Sequence, residues 1–587
     1  MKCPVCEIGC DIAEGRSGRC RMYINRNDEI VERFPESYLT MLPITIETMP
    51  MIHFAPKNKF FQVSTVGCNF TCPGCISETL TVHADAVAGA LTTASPEEVV
   101  RRAQAEDCTG IVFCLNDPTA SYFTFLALAR EAKAAGLRVG CSTNGYFTEH
   151  ALATLIPSLD FVNIGLKGSS DKRYRECGAK SADPVFRNIR TLHEKGVHVE
   201  VSAMYIHGAD EEILNAARRV AEISPDIPLQ VMRFVPFGEA APGLEPTIRE
   251  SEHVTDRLRA ILRYVYLFNS PGTGYLNTVC PVCGTAVIER EFYGPMGCRT
   301  SAALEGGRCP CGWQAPIRGD ICAEQYTEYG MLGGYRTTRA IEMAHAILVT
   351  LGIRDDEELG AVLGDIVRED FIRGMHDRIQ QIDSWLGLIA ELAARAGREE
   401  EGKELISFLR ERIDRIAAGS ALARTRPRVY YSMGYPLFAL NADRFETNLV
   451  ETAGGTCVNK RLKRKGKPGV NITVEELNEL NPEYMFISGF LSSPASDYLH
   501  YCTEHGVESD AVGAGRVYNV PAGWDFGSPR WILGFMFLAN TLHPETFSFD
   551  LEHEQREFYR RFYGITGDGF VANRDFSRPV IGAPEDE

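Results

Sequence analysis

At 587 residues the chain is too long for one hydrophobic core and is expected to divide into several domains. Its hydrophobic fraction of 44% and charged fraction of 24% are those of an ordinary globular protein. A net charge of −17 argues against a sequence-independent nucleic-acid binder, which needs a basic footprint.

The chain opens MKCPVCEIGC, with cysteines where a signal peptide carries its apolar run. The most apolar late stretch, Trp531 to Ala539, is too short to span a bilayer. A cytoplasmic protein with no membrane partner is expected, and there 19 cysteines read as metal ligands and free thiols rather than disulfides. Residues 1–55 hold Cys3, Cys6, Cys10 and Cys20 among Gly and Arg and read as a Cys-rich cap. Those four are candidate metal ligands, with reduced thiols as the alternative.

Over 56–245, apolar runs alternate with amphipathic helical stretches such as PEEVVRRAQAE. The runs are FFQVSTV, GIVFCL, RVGCST, FVNIGLK, VEVSAMY and LQVMRFVPF. Repeated βα units of this length predict a parallel sheet, here a partial (β/α)6 TIM-like barrel short of the eight strands of a full one. Residues 246–322 are rich in Cys and Gly, and 323–425 carry long helical patterns that predict a connector. Over 426–587 the βα rhythm returns in VYYSMG, EYMFISGF and RVYNVP, which predicts a Rossmann-like lobe. The fold class expected is α/β throughout.

After the first strand, residues 66–77 read VGCNFTCPGCIS, placing Cys68, Cys72 and Cys75 in a C-x3-C-x2-C run. Three thiolates on a four-iron cluster leave one iron open for an exchangeable ligand; the rival reading is a zinc loop that borrows a distant fourth ligand. In its βα context this stretch resembles the radical S-adenosylmethionine (SAM) superfamily. The resemblance implies a [4Fe–4S] cluster on these cysteines that chelates and cleaves SAM, fed by an external electron donor. It also implies SAM contacts at later strand ends: Asn116 and Asp117 in CLNDPTAS, Ser142 and Asn144 in CSTNG, Lys167 in NIGLKG, and Arg233 before FVPF. The NDPT turn is similar to the Asn-Glu-Pro-Thr variant in relatives of the pyruvate formate-lyase activating enzymes. Cys108, Cys114 and Cys141 read as buried apolar thiols, whereas Cys177 in RECGAK has a second reading near the substrate.

CPVCG at 280–284 and GRCPCGW at 307–313 look like the two knuckles of a zinc ribbon, with Cys280, Cys283, Cys309 and Cys311 as ligands to zinc or to an auxiliary Fe–S cluster. The second knuckle is one residue short, so Cys298 or Cys322 is an alternative ligand. Over roughly 1–322 the chain resembles the radical enzyme family named for its association with AMMECR and Memo proteins. Residues 426–565 resemble instead one lobe of the cobalamin, haem and siderophore ABC substrate-binding proteins, on RPRVYYSMGYPL, LVETAGGTCVN and AVGAGRVYNVPAGWDFGSPRWILGFMFLANTLHPE. That resemblance implies a cobalamin-contacting set of Tyr430, Tyr431, Tyr435, Gly454, Gly455, Ser488, Gly489, Trp524 and Phe526. RLKRKGK at 461–467 reads as a solvated loop or a contact to an anionic partner.

Together the resemblances imply a cobalamin-dependent radical SAM methyltransferase of an anaerobic methanogen. It would use SAM both as methyl source, by way of cobalamin, and as radical source. An unactivated carbon of a protein, a glutamine of methyl-coenzyme M reductase as candidate, would be the acceptor. The alternatives are a glycyl-radical-enzyme activating enzyme and a radical enzyme acting on a tetrapyrrole or metal chelate.

Overall fold

Short runs in which nearly every side chain is buried become strands covered on both faces. Gly110–Phe113 and Leu229–Arg233 have that burial. The computed structural model describes residues 1–237, 240–294, 297–328, 336–368, 371–466, 468–566, 570–571 and 580–581. Lys467 of the basic run lies outside them. Chain contacts divide the protein into two units: residues 1–234, 243–269 and 274–336, and residues 235–242, 270–273 and 337–587.

The first unit is built on an eight-stranded sheet of β1 (Thr40–Thr45), β2 (Lys59–Ser64), β3 (Gly110–Phe113), β4 (Arg138–Thr143), β5 (Phe161–Leu166), β6 (His198–Tyr205), β7 (Leu229–Arg233) and β8 (Val265–Phe268). Their spatial order is the chain order, and β2 to β8 are all parallel. The runs read from the sequence are β2 to β7. Two strands lie outside the expected 56–245 boundaries: β1 comes from the cap and pairs antiparallel with β2, and β8 comes from the following segment. Pro43 opposite Phe61 shows why β1 is hard to read, since an edge strand tolerates a proline that a central one does not. Amphipathic helices return the chain between strands. Pro96–Ala105 opens with Ser95 accepting from Glu98 N, and Ile248–Arg259 opens with a Thr247/Glu250 capping box. This parallel register brings the C-terminal ends of β2 to β5 to one edge, where ligands of open α/β sheets bind. The same unit carries an antiparallel ribbon of β9 (Thr278–Val279), β10 (Ala286–Gly294) and β11 (Gly297–Ala302).

The second unit has a sheet of β12 (Arg428–Ser432), β13 (Phe438–Leu440), β14 (Thr456–Cys457), β15 (Gly469–Asn471), β16 (Tyr484–Ile487) and β17 (Val517–Asn519). The order is β15-β13-β12-β16-β17, with β14 also on β12. The expected connector helices, including Ile382–Arg395 and Glu399–Leu422, belong to this unit rather than standing apart. Their apolar faces meet the buried helix Trp531–Leu542, where the Trp385 and Trp531 rings pack edge-on at 6.2 Å. Among the described residues no helix is long and apolar enough to cross a membrane.

Candidate functional site

The three-cysteine loop leaves β2 at Ser64 and is fastened at each step. Thr65 N donates to Asn116 Oδ1 at 2.9 Å, and Asn116 Nδ2 donates back to Thr65 Oγ1 at 2.8 Å and Gly67 O at 3.2 Å. Gly67 turns at φ +88°, and a Cβ there would lie 2.5 Å from Met22 Cγ, so only glycine fits. Phe70 N donates to Cys68 Sγ at 3.4 Å, and Thr71 N donates to Cys177 O at 3.0 Å. Cys75 Sγ lies 3.7 Å from Thr81 Oγ1.

From β4, Asn144 Nδ2 donates to Asn69 Oδ1 at 2.6 Å and lies 3.8 Å from Cys68 Sγ. From β3, the buried Asp117 carboxylate accepts from Asn144 N at 2.6 Å, Thr119 N at 2.9 Å and Thr143 Oγ1 at 3.2 Å. From β5, Lys167 reaches the thiols across Gly165, whose missing side chain leaves Nζ 3.6 Å from where a Cβ would sit. Burial works against the Lys167 charge, but the sulfurs of Cys72, Cys177, Cys75 and Cys68 outweigh it, and its pKa is raised. Cys177, read from the sequence as a buried thiol with a second reading near the substrate, sits beside Cys72. The hydrogen bond between the two holds Cys72 protonated and lowers Cys177 to about 7.

The predicted SAM residues therefore divide. Asn116 and Asp117 are buried and spend their hydrogen bonds on the loop and on the strand-end turn of β4. Ser142 and Lys167 are half-buried. Arg233 is fully buried, with Nη1 on Glu245 Oε1 at 2.7 Å and Nε on Asn269 O at 2.8 Å. Sequence reasoning missed Asn69, which joins the loop to β4, and the Phe70, Tyr146 and Tyr174 rings packed against one another behind it. The visible signal was an Asn-Phe pair inside the cysteine run.

Residues 63–220 match the Radical SAM superfamily, and this span holds the cysteine loop, β3 to β6, and Asn69, Asn116, Asp117, Asn144, Lys167 and Cys177. The chain carries a radical SAM domain. An uncharacterized protein of Methanocaldococcus jannaschii is 28% identical over 300 residues, covering 50% of this chain and 88% of its own. A periplasmic solute-binding protein from Veillonella parvula is 22% identical over 32% of this chain and 58% of its own, at a TM-score of 0.28. An ABC transporter solute-binding protein from Sulfurospirillum deleyianum is likewise 22% identical, over 32% and 59%, also at 0.28. This chain thus spans less than two thirds of the length of those binding proteins.

A radical SAM domain implies a [4Fe–4S] cluster and SAM. The loop fits such a cluster: it offers three half-buried thiols and the Lys167 cation to oppose the charge of a thiolate-bound centre. Cys68, Cys72 and Cys75 would hold it, and the group supplies when bound the electron that cleaves SAM into a radical.

The ribbon thiols are arranged differently. Cys280 Sγ lies 3.5 Å from Cys311 Sγ and Cys283 Sγ 3.6 Å from Cys309 Sγ, and all four sulfurs lie within 4.8 Å of one another. Four thiolates around one ion at a Zn–S distance of about 2.3 Å would stand about 3.8 Å apart, so the set fits a single tetrahedral metal. Gly284 and Gly312, at φ +74° and +94°, close the two knuckles. The short second knuckle brings in Cys309 and Cys311 together, so neither Cys298 nor Cys322 is needed. Cys298 lies on β11, paired with Phe292 of β10, and Cys322 N donates to Pro56 O.

In the second unit the predicted cobalamin contacts are filled by their own packing. Tyr430 and Tyr431 are fully buried, their hydroxyls bound to Pro436 O at 2.6 Å and Asp525 Oδ2 at 3.2 Å. Tyr435 packs on Tyr501 at 4.5 Å between ring centroids, and Ser488, Trp524 and Phe526 are buried. A Cβ on Gly489 would lie 2.5 Å from Pro521 O, on Gly454 2.7 Å from His543 Nε2, and on Gly455 3.0 Å from Val429 Cγ2, so these glycines serve close packing within the lobe. As the lobe stands, these residues form its packed interior rather than an open face.

Asp525 yields a pH effect. Burial, followed by the nearby Glu446 carboxylate, raises its pKa to about 6, against hydrogen bonds from Ser488 and Gly489 and the Arg444 charge. An unfolded Asp loses its proton near pH 3.9, so between about pH 4 and 6 the folded chain binds more protons than the unfolded one. Stability of the second unit should therefore fall by on the order of 3 kcal/mol as pH rises across that window. Asp525→Asn should flatten the slope in urea titrations of the whole chain; an equal slope in the variant rules this carboxyl out as the source.

Proposed function

We propose that this protein is a radical SAM methyltransferase that places a methyl group on an unactivated carbon of a protein, with cobalamin as the methyl carrier. The observation that carries the radical half is the loop of Cys68, Cys72 and Cys75, held by Asn116 and Asn144 beside Lys167. The residues have definable tasks. Asn116 and Asp117 set the loop and the β4 turn, Lys167 opposes the thiolate charge, and half-buried Ser142, next to last on β4, is the proposed SAM contact. The methyl half rests on the sequence resemblance of 426–565 to cobalamin-binding lobes. Finer still is the acceptor, a glutamine of methyl-coenzyme M reductase, with a low-potential external electron donor. The ribbon is proposed to hold zinc.

The test is anaerobic. Protein reconstituted with iron and sulfide is titrated with cobalamin, followed by its visible spectrum, then given methyl-labelled SAM and a glutamine-containing acceptor peptide. The expected result is bound cobalamin, labelled methyl on carbon, and 5′-deoxyadenosine released in step with it. No affinity for cobalamin overturns the methyl reading. If SAM cleavage persists in that case, the Asn116-Asp117-Pro118-Thr119 turn favours an activating enzyme that leaves a glycyl radical on its target.

A further inference from the structure

The four N-terminal cysteines, 48 residues or more before the radical loop, are drawn together by the chain. Cys3 N donates to Cys10 O at 2.8 Å, Gly9 N to Cys6 O at 3.0 Å, and Gly18 N to Tyr23 O at 2.9 Å, closing the segment on itself. Cys3, Cys6, Cys10 and Cys20 then line one pocket with Ile8, Ile12 and Tyr23 as its apolar wall and Arg19 as its cation. Tyr23 is fixed from the opposite side, its hydroxyl donating to Thr119 O at 2.7 Å and accepting from Tyr122 N at 2.9 Å.

The sulfurs are presented as metal ligands are. Backbone N–H groups two residues on point at three of them, Val5 at Cys3, Ile8 at Cys6 and Met22 at Cys20, and Arg19 N donates to Cys10 Sγ at 3.4 Å. The same two-residue turn occurs at Cys68 in the radical loop and at Cys283, Cys309 and Cys311 in the ribbon. Core thiols Cys114 and Cys141 are merely buried, with no such donor. Cys457 has the turn but stands alone.

A second observation points into the same pocket. Asn69, 4% exposed, lines it, and its Nδ2 meets no hydrogen-bond acceptor beyond a weak pull on the Cys6 sulfur. A buried donor of this kind is costly unless it faces an acceptor such as a thiolate or sulfide. Spacing decides which metal. Among the described residues, the ribbon is the group of potential ligands whose atoms all lie within 4.8 Å of one another, and no three of the N-terminal sulfurs meet that condition. One zinc ion draws four thiolates closer than this, whereas the irons of a cluster each take their own thiolate and keep the sulfurs apart.

We propose that Cys3, Cys6, Cys10 and Cys20 hold a second iron–sulfur cluster, of the [4Fe–4S] class. Four thiolates leave no iron open, so this centre carries an electron and does not bind SAM. Asn69 stands between the two centres, next in sequence to Cys68 and against Cys6. The inference is independent of cobalamin, and it can fail or hold whether or not methyl transfer is found.

The full chain, reconstituted anaerobically with ferrous iron and sulfide, should bind about eight irons, four for each cluster. Cys68→Ala/Cys72→Ala/Cys75→Ala should retain about half of them and still give a cluster signal in electron paramagnetic resonance after reduction. Adding Cys3→Ala/Cys6→Ala/Cys10→Ala/Cys20→Ala should remove the rest and leave the ribbon metal in place, which reports on folding. Since the last variant can misfold, Cys10→Ser in the triple-alanine background gives a second reading: its resonance should shift while the melting curve does not. Iron that stays with the combined variant, zinc in place of iron at these thiols, or a signal that Cys10→Ser does not move, each overturns the proposal.

Discussion

Chain carrying Cys68→Ala, Cys72→Ala and Cys75→Ala together should release no 5′-deoxyadenosine from SAM under reducing conditions. The fall should be at least about a thousandfold, since the reaction rests wholly on a centre these thiols create and enzymes typically accelerate by 10⁶ or more. The three must go together. Cys177 stands beside Cys72, so a single change at Cys72 leaves a thiol positioned to take its place. Alanine is preferred to serine because a hydroxylate can also bind iron. The fold should survive: Thr65 and Gly67 are held by Asn116 and Asn69 by Asn144, none of them through a sulfur. Metal retained on the ribbon is the control for that. A triple variant that still cleaves SAM would mean that the radical centre lies elsewhere in the chain.

What the sequence shows and what it hides follow from one distinction. Strand runs such as FFQVST and GIVF are visible because a parallel strand buried on both faces must be apolar along its length. β1 is not visible in that way, because an edge strand carrying Pro43 among half-buried neighbours has no continuous apolar run. β8, only Val265–Phe268, is too short to be told from a helix end. The cysteine loop is legible because thiol spacing is local. The partners of Asn116 are not: its residue type suits a cofactor contact or a loop staple, and only the approach of β2 to β3 selects the second. The lobe tyrosines illustrate the same limit. Aromatic side chains at strand ends suit a flat ligand or a core, and Tyr430 and Tyr431 sit in the core with their hydroxyls satisfied. The short ribbon knuckle is the converse case. Its spacing looked deficient, yet a loop that folds back supplies both sulfurs, because coordination depends on where the sulfurs arrive and not on how many residues separate them.

Asp117→Ala should be the most damaging single change at the site that removes no metal ligand. The carboxylate is 6% exposed and accepts from Asn144 N at 2.6 Å, Thr119 N at 2.9 Å, Thr119 Oγ1 at 2.7 Å and Thr143 Oγ1 at 3.2 Å. Removing it strands buried donors that water does not reach, at about 1–3 kcal/mol each, so a loss on the order of 4 kcal/mol is expected. Asp117→Asn keeps the shape and one acceptor but turns an NH₂ toward donors, and should lose about half as much. Function should follow structure through one relay. Asn144 owes its backbone position to Asp117 and in turn holds Asn69 and the Cys68 end of the loop. Asp117→Ala should therefore lose loop iron faster in a chelator than the parent chain, while the metal of the ribbon leaves at its usual rate. Urea titration checks the first expectation and iron release over time checks the second. If stability falls while loop iron holds as in the parent, Asp117 supports only the β3–β4 edge and the relay to Cys68 is wrong. If neither changes, the carboxylate does not anchor the site at all.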